Sequence, residues 1–331
     1  MPGIRRRGEE IRQFILEHIS ENRNIAALTS HKFDISLPAV YKHIDRLVSE
    51  NQIIKKAGRY VLQSRQYKYN YSLEKTLSED VVWEKDIKKH FSHVSKNVWN
   101  IWVYGFLEIF NNAIDHSQGK KINVVVCENK VFTSMSICDD GIGIFNNIKN
   151  SFKLLDEKDA LLELAKGKRT TDKTRHSGQG IFFTSKVFDV FYIISNGLTY
   201  GMQPPENRRT GNKSSTFVYI GLANNSGKIL KNVFDEFSTE IPGDFDKTLI
   251  PVHLVNSADL VSRSQARRIL SGLELFKEVI LDFSDIAYIG QAFADEIFRV
   301  FKNLHPQTTI MAQNANEEVL YMINRAMSTR L

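Results

Sequence analysis

The spacing of apolar and polar residues changes twice along this chain and divides it into three parts. In the first part, apolar residues recur at helical spacing in three segments and then alternate in a short hairpin around Gly58. From about residue 80, a long helix rich in aromatic residues precedes strands with a two-residue period. From about residue 228, strand-like runs alternate with helical runs, a pattern typical of βαβ units.

We therefore predict a multidomain protein of mixed α+β and α/β class, with domains at residues 1–65, 80–222 and 228–331. Residues 66–79 are polar and rich in tyrosine without a clear period, and we interpret them as a linker. The length of 331 residues suits two or three domains. The apolar fraction of 42% and the charged fraction of 25% are ordinary for proteins with a hydrophobic core.

The sequence lacks the features of a membrane or secreted protein. No apolar run approaches the roughly 18 to 20 residues that span a bilayer, and residues 1–7 lack a hydrophobic signal core. Cys127 and Cys138 lie in neighbouring apolar runs, which favours buried reduced thiols over a disulfide or a metal site. We expect a cytoplasmic protein that makes no membrane contact.

Positive charge is concentrated near the N-terminus. Residues 1–65 contain 12 Lys and Arg against 7 Asp and Glu, whereas the whole chain has a net charge of +6. Three helices followed by a hairpin resemble a winged helix-turn-helix, the fold of many bacterial regulators, in which the third helix enters the major groove. The resemblance implies DNA contacts from Lys42, Arg46, Lys55, Lys56 and Arg59. The alternatives are a winged helix that contacts only proteins, and a basic region that only aids solubility.

The helix predicted over residues 98–116 carries a row of polar side chains. Glu108, Asn112 and Asp115 are spaced i, i+4 and i+7, so they fall within about 60° of one another around the helix axis. The other side of this helix is apolar. Polar groups in such a setting are costly unless they face a cleft or a ligand, so the row predicts a binding site.

Two glycine-containing segments complete the predicted pocket. Asp139 ends a strand on the same face as an apolar row, where its carboxylate can accept a hydrogen bond from an amino group such as that of adenine; Gly141 and Gly143 follow. Gly178-Gln179-Gly180 precedes a helix whose N-terminus suits phosphates. Upstream lies a basic segment, which we interpret as a lid over a triphosphate and which contains Lys166, Lys168, Arg169, Lys173 and Arg175.

This order of motifs resembles the GHKL ATPases, which include gyrase, a heat-shock chaperone, histidine kinases and MutL. The resemblance covers residues 98–222, although Ser215 stands before Thr216 where the family usually has Gly. It implies an α/β sandwich that binds ATP, with Mg²⁺ coordinated by Asn112, adenine bound by Asp139 with support from Thr216, and Glu108 as the general base. Further nucleotide contacts are expected from Asp115, Gly141, Gly143, Lys166, Arg169, Gly178, Gln179 and Gly180.

The same helix also resembles that of anti-sigma-factor serine kinases, since His116 follows Asn112 by four residues. Such kinases phosphorylate a serine on STAS-domain partners. The C-terminal part resembles a STAS-like domain of unknown function through residues 279–286 and 294–299, yet Gly290-Gln291-Ala292 stands where antagonists carry the acceptor serine. Water is therefore the expected phosphate acceptor.

Three functions remain open at this stage. The first is an ATPase switch that couples a DNA-binding unit to a STAS-like docking unit with an unknown protein partner, in a possible homodimer. The second is a serine kinase that acts on a partner protein, and the third is a scaffold that binds ATP without hydrolysing it.

Overall fold

The computed structural model describes residues 2–20, 24–168, 178–205, 215–255 and 259–328. Within these ranges the strands form separate sheets of two, six and three strands, each in a different part of the chain. The mixed α/β character and the presence of several units agree with the sequence prediction. None of the described helices is long and apolar enough to cross a membrane.

The N-terminal unit packs three helices and a hairpin around a small core. Its elements are α1 (Pro2–His18), α2 (Ile25–Phe33), α3 (Leu37–Ser49), β1 (Ile53–Lys56) and β2 (Arg59–Leu62). The Asn24 side chain caps α2, whereas α3 follows an extended Ser36 and has Pro38 in its first turn. Ile15, Ile44 and Leu47 are almost fully buried where the helices meet. The predicted order of three helices and a hairpin is therefore found.

The segment predicted to be a linker is a strand instead. The strand β3 (Arg65–Ser72) pairs antiparallel with β4 (Lys121–Glu128) along its whole length. Tyr67, Tyr69 and Tyr71 are half-buried, whereas the residues between them are exposed. The linker prediction is wrong because tyrosine is the apolar member of a two-residue period here. Only residues 63 and 64 separate β3 from β2, so the N-terminal unit joins the central sheet directly.

The central unit is an antiparallel sheet with the strand order β3-β4-β5-β8-β6-β7 among the described residues. Its remaining elements are α4 (Glu79–Val82), α5 (Lys96–His116), β5 (Phe132–Asp139), α6 (Ile144–Phe152), α7 (Glu157–Lys166), α8 (Gly180–Val187), β6 (Val190–Ser195), β7 (Leu198–Gly201) and β8 (Thr216–Ala223). Trp102, Phe106 and Phe110 on α5 are fully buried against sheet residues such as Val124 and Ile220. This packing fixes α5, which carries the predicted polar row, across the sheet.

The C-terminal unit contains a parallel sheet with the order β11-β10-β9 in the part of the chain that the structure describes. Its elements are α9 (Leu230–Glu236), β9 (Lys247–Pro251), α10 (Arg263–Leu270), β10 (Glu278–Asp282), α11 (Gln291–Asp295), α12 (Lys302–Leu304), β11 (Thr309–Gln313) and α13 (Glu317–Ser328). A π-helical turn, Glu296–Phe301, joins α11 to α12. The C-terminal unit therefore contains the alternating strands and helices that the sequence predicts.

The C-terminal unit shares a hydrophobic core with the central unit. Leu162 on α7 and Phe182 and Phe183 on α8 pack among residues of the C-terminal unit. The Phe182 ring lies 4.9 Å from that of Phe237, and the Phe183 ring lies 5.0 Å from that of Phe245. Since α8 begins at the second predicted glycine segment, the C-terminal unit contacts an element of the predicted pocket.

Candidate functional site

A cavity of about 370 Å³ lies among α5, the ends of β5 and β8, and the helices α6, α7 and α8. Polar and apolar side chains both line it. The polar lining residues include Glu79, Glu108, Asn112, His116, Asn147, Asp139, Glu163 and Thr216. The apolar lining residues include Ile137, Ile144, Ile148, Phe152, Leu164, Ile181 and Val218.

The polar row of α5 faces this cavity, with one change from the prediction. Glu108 and Asn112 line it, and His116 continues the row one turn further along the helix. Asp115 is exposed and is not among the lining residues, and its predicted nucleotide contact stays a prediction. The wall follows the i, i+4, i+8 spacing because the cavity reaches past the end of α5 to Ser117.

Asp139, the last residue of β5, also lines the cavity. Its side chain is only 5% exposed, and its Oδ1 accepts hydrogen bonds from the backbone N–H of Gly141 at 2.9 Å and of Thr216 at 3.4 Å. Burial raises the pKa of Asp139, and these backbone donors partly oppose that rise. The Thr216 hydroxyl in turn accepts from the N–H of Ile144 at 3.0 Å. The end of β5, the turn that follows it and the start of β8 are therefore held together around the Asp139 carboxyl group.

The glycines after Asp139 are required for this arrangement. A β-carbon added to Gly141 would lie 2.0 Å from the Ser117 carbonyl oxygen, so the turn after β5 packs directly against the end of α5. Gly143 has a φ of 85° and precedes the first residue of α6. Neither residue lines the cavity among the described residues; both shape the turn that carries Asp139.

The second glycine segment meets the α5 row. Gly178 and Gly180 line the cavity, and Gln179 precedes the first residue of α8. A β-carbon on Gly180 would lie 1.9 Å from Glu108 Oε2, so the start of α8 is in contact with the Glu108 carboxylate. The sequence predicted separate roles for these two motifs, and the structure brings them together.

The start of the basic segment points away from the cavity. The ammonium group of Lys166 is almost fully buried and donates to Glu163 Oε1 at 2.7 Å, to the Arg268 carbonyl at 3.0 Å and to the Ser271 carbonyl at 2.8 Å. Lys168 donates to the Leu275 carbonyl at 2.7 Å. These bonds tie Lys166 to Glu163 and to the C-terminal unit, and its predicted phosphate contact stays a prediction.

The rest of that basic segment, including Arg169, Lys173 and Arg175, lies outside the described residues. Sequence reasoning also missed several lining residues: Glu79, Asn147 and Glu163. The sequence does contain a signal for Glu163, because this residue is an acid within the largely apolar stretch 160–165 of α7. Glu79 and Asn147 had none, since each stands in a polar stretch.

The residues predicted to contact DNA are exposed in two parts of the N-terminal unit, the helix α3 and the hairpin. Lys42 and Arg46 are exposed on α3, and the three basic residues of the hairpin, Lys55, Lys56 and Arg59, are exposed on β1 and β2. Arg46 also forms an ion pair with Glu50, with Nε 2.7 Å from Oε1. The pKa of His43 is lowered by partial burial and by the nearby charges of Arg12 and Arg46, which indicates a locally positive surface.

Comparison with known families identifies one part of the chain. Residues 265–320 match the model of a STAS-like domain of unknown function (DUF4325). This segment runs from α10 into α13, and the sequence prediction of a STAS-like C-terminal unit is confirmed. No curated protein matches the chain. In this unit Ser284 lies in the turn after β10 and donates to Asp282 Oδ1 at 2.7 Å, while residues 290–292 carry no hydroxyl group.

Proposed function

We propose that the protein is an ATP-binding and ATP-hydrolysing regulator of the GHKL type, in which a nucleotide cavity controls a DNA-binding winged helix and a STAS-like docking unit. The main support is that Asp139, buried beside Thr216, lines the same cavity as Glu108 and Asn112. A buried carboxylate beside apolar residues suits the amino group of adenine, and the acid and amide suit the phosphate end.

The chemistry of the residues fits a magnesium nucleotide. Magnesium commonly binds through one or two protein oxygens together with substrate phosphates. In this proposal the Asn112 carbonyl oxygen supplies such a ligand, and Mg²⁺ neutralises phosphate charge when it is bound.

The remaining roles follow from position. Glu108 accepts the proton of the attacking water, as a carboxylate close to the reaction can do. The first N–H groups of α8, next to Gly180, bind phosphate oxygens. The contact between Gly180 and Glu108 supports a base beside the phosphate end of the nucleotide.

Nucleotide binding and hydrolysis can be tested separately. Glu108→Gln keeps the size of the side chain and removes the base, so we expect ATP binding within a few-fold of the original protein and hydrolysis reduced at least 100-fold. Calorimetry with Mg²⁺ and ATP measures the first, and phosphate release measures the second. A protein that binds no ATP in calorimetry contradicts the proposal.

A second candidate is a serine protein kinase, which is favoured by His116 in the cavity wall one turn after Asn112. In that case Glu108 activates a serine hydroxyl of a partner instead of water. Transfer of label from γ-labelled ATP to a co-purified protein supports the kinase, whereas phosphate release without labelled protein supports the ATPase. A turnover close to background with nucleotide-dependent DNA binding supports a non-hydrolysing scaffold.

A further inference from the structure

We propose that a ligand in the cavity changes the packing of the C-terminal unit through the buried ion pair between Glu163 and Lys166. The pair lies between the cavity and the C-terminal unit. Glu163 lines the cavity, whereas the Lys166 ammonium binds main-chain carbonyl groups of the C-terminal unit. The inference rests on the proposed function only for the identity of the ligand.

The ion pair is removed from solvent on both sides. Glu163 is 5% exposed and Lys166 is 1% exposed, and the two charged groups are 2.7 Å apart. A buried ammonium group is stable only when its charge is compensated and its N–H groups are bonded. Glu163 supplies the charge compensation, so the position of Lys166 depends on that of Glu163.

Lys166 completes the end of a helix in the neighbouring unit. The last carbonyl groups of a helix have no partner within it. In α10 the Arg268 carbonyl accepts from Lys166 at 3.0 Å, and the Ser271 carbonyl just after the helix accepts at 2.8 Å. A positive charge at a helix C-terminus also interacts favourably with the helix dipole. The last turn of α10 is therefore held by a side chain of the central unit.

An anionic ligand acts on Glu163 before it acts on Lys166, because Glu163 lines the wall and Lys166 does not. Repulsion between the ligand and the carboxylate weakens the ion pair, and the bonds from Lys166 to α10 weaken with it. Ligand binding thereby loosens the last turn of α10. Because coupling between two equilibria is reciprocal, a partner that tightens this turn lowers the affinity of the cavity for the anion.

The link between the Glu163–Lys166 ion pair and the last turn of α10 can first be measured without any ligand, by hydrogen exchange of the full chain. Glu163→Gln removes the charge that holds Lys166, so we expect amide exchange over residues 268–271 to be at least tenfold faster than in the original protein. The matched control is Arg268→Ala, which removes the exposed pair with Asp159 at 3.2 Å and keeps the Arg268 carbonyl. We expect exchange in the control to change less than twofold. Unchanged exchange in Glu163→Gln overturns the inference.

The response to ligand is then measured with the magnesium complex of a non-hydrolysable ATP analogue. We expect the analogue to quicken exchange over residues 268–271 in the original protein and in Arg268→Ala, and to have no effect there in Glu163→Leu/Lys166→Met. This double variant replaces the pair with apolar side chains, so it keeps the fold if either single variant is unstable. A response that persists in the double variant overturns the inference. If Glu163→Gln loosens α10 but calorimetry detects no nucleotide binding, the proposed function fails and the link stands.

Discussion

Gly180, at the start of α8, is in direct contact with Glu108 on α5: a β-carbon added to the glycine would lie 1.9 Å from Glu108 Oε2. Two motifs that are 72 residues apart in the sequence therefore share one position in space. The start of α8 cannot shift or gain a side chain without moving the carboxylate.

This contact predicts that Gly180→Ala strongly reduces ATP turnover. The added methyl group meets the flexible end of the Glu108 side chain, so the carboxylate has to move away from the start of α8. We expect ATP turnover to fall at least tenfold, as measured by phosphate release. The control is Gly227→Ala, because a β-carbon at Gly227 meets no atom within 4 Å. Equal losses in both variants would show that the contact with Glu108 is unimportant.

The burial of Asp139 predicts that this residue favours the folded state at low pH and not at high pH, which is the reverse of the usual case for a carboxylate. Burial raises its pKa in the folded protein, so the folded state takes up the proton more readily than the unfolded state. The contribution of this group to stability is therefore present at low pH and is lost as the pH rises through the raised pKa. Compared with Asp139→Asn, the original protein should gain stability as the pH falls from 7.5 toward the ordinary Asp pKa of about 4.

Urea denaturation of both proteins at pH 7.5 and pH 4.5 measures this difference. The same variant tests ligand recognition, because an Asn side chain offers a neutral oxygen to the adenine amino group in place of a charged one. We expect ATP to bind at least tenfold more weakly to Asp139→Asn at pH 7.5. A stability difference that is constant across the pH range contradicts the burial argument.

The basic hairpin predicts salt-dependent DNA binding. If Lys55, Lys56 and Arg59 contact phosphates, replacing one of them with Ala should reduce the slope of log K against log salt by about 0.9. Arg46→Ala should have a smaller effect, because Arg46 already pairs with Glu50. Fluorescence anisotropy with labelled duplex DNA at several salt concentrations measures these slopes. Binding that is independent of salt contradicts a role in phosphate contact.

Much of the secondary structure was predictable because the hydrophobic period is regular. The helix α5, the strands β4 and β5, and the alternating elements of the C-terminal unit all lie within a few residues of their predicted positions. The strand β3 was missed because its apolar positions are tyrosines between charged and polar residues. The packing of β3 on β4, about 50 residues away, decides its structure, and local composition does not show it.

The residues of the candidate site also include some that the sequence predicts and some that it does not. Glu108, Asn112 and Asp139 were predictable because each breaks an apolar pattern at a helix face or a strand end. The place of Lys166 was not predictable, since a lysine beside a glycine is typical of an exposed loop. Its partners Arg268 and Ser271 are about 100 residues away and offer main-chain oxygens, which any residue type can supply.

The ion pair between Glu163 and Lys166 also gives a prediction for the free energy of unfolding, which matched variants can test. Lys166→Met leaves the Glu163 carboxylate buried without its ammonium partner, and breaking one side of a buried pair costs about 3–5 kcal/mol of unfolding free energy. Glu163→Leu/Lys166→Met removes both charges, so it should recover most of that loss. The exposed pair of Arg268 with Asp159 should contribute only about 0–1 kcal/mol, which Arg268→Ala measures. Urea denaturation of the four proteins gives the values, and a double variant no more stable than Lys166→Met would show that the lost bonds to α10, and not the loss of the ammonium charge beside Glu163, cause the damage.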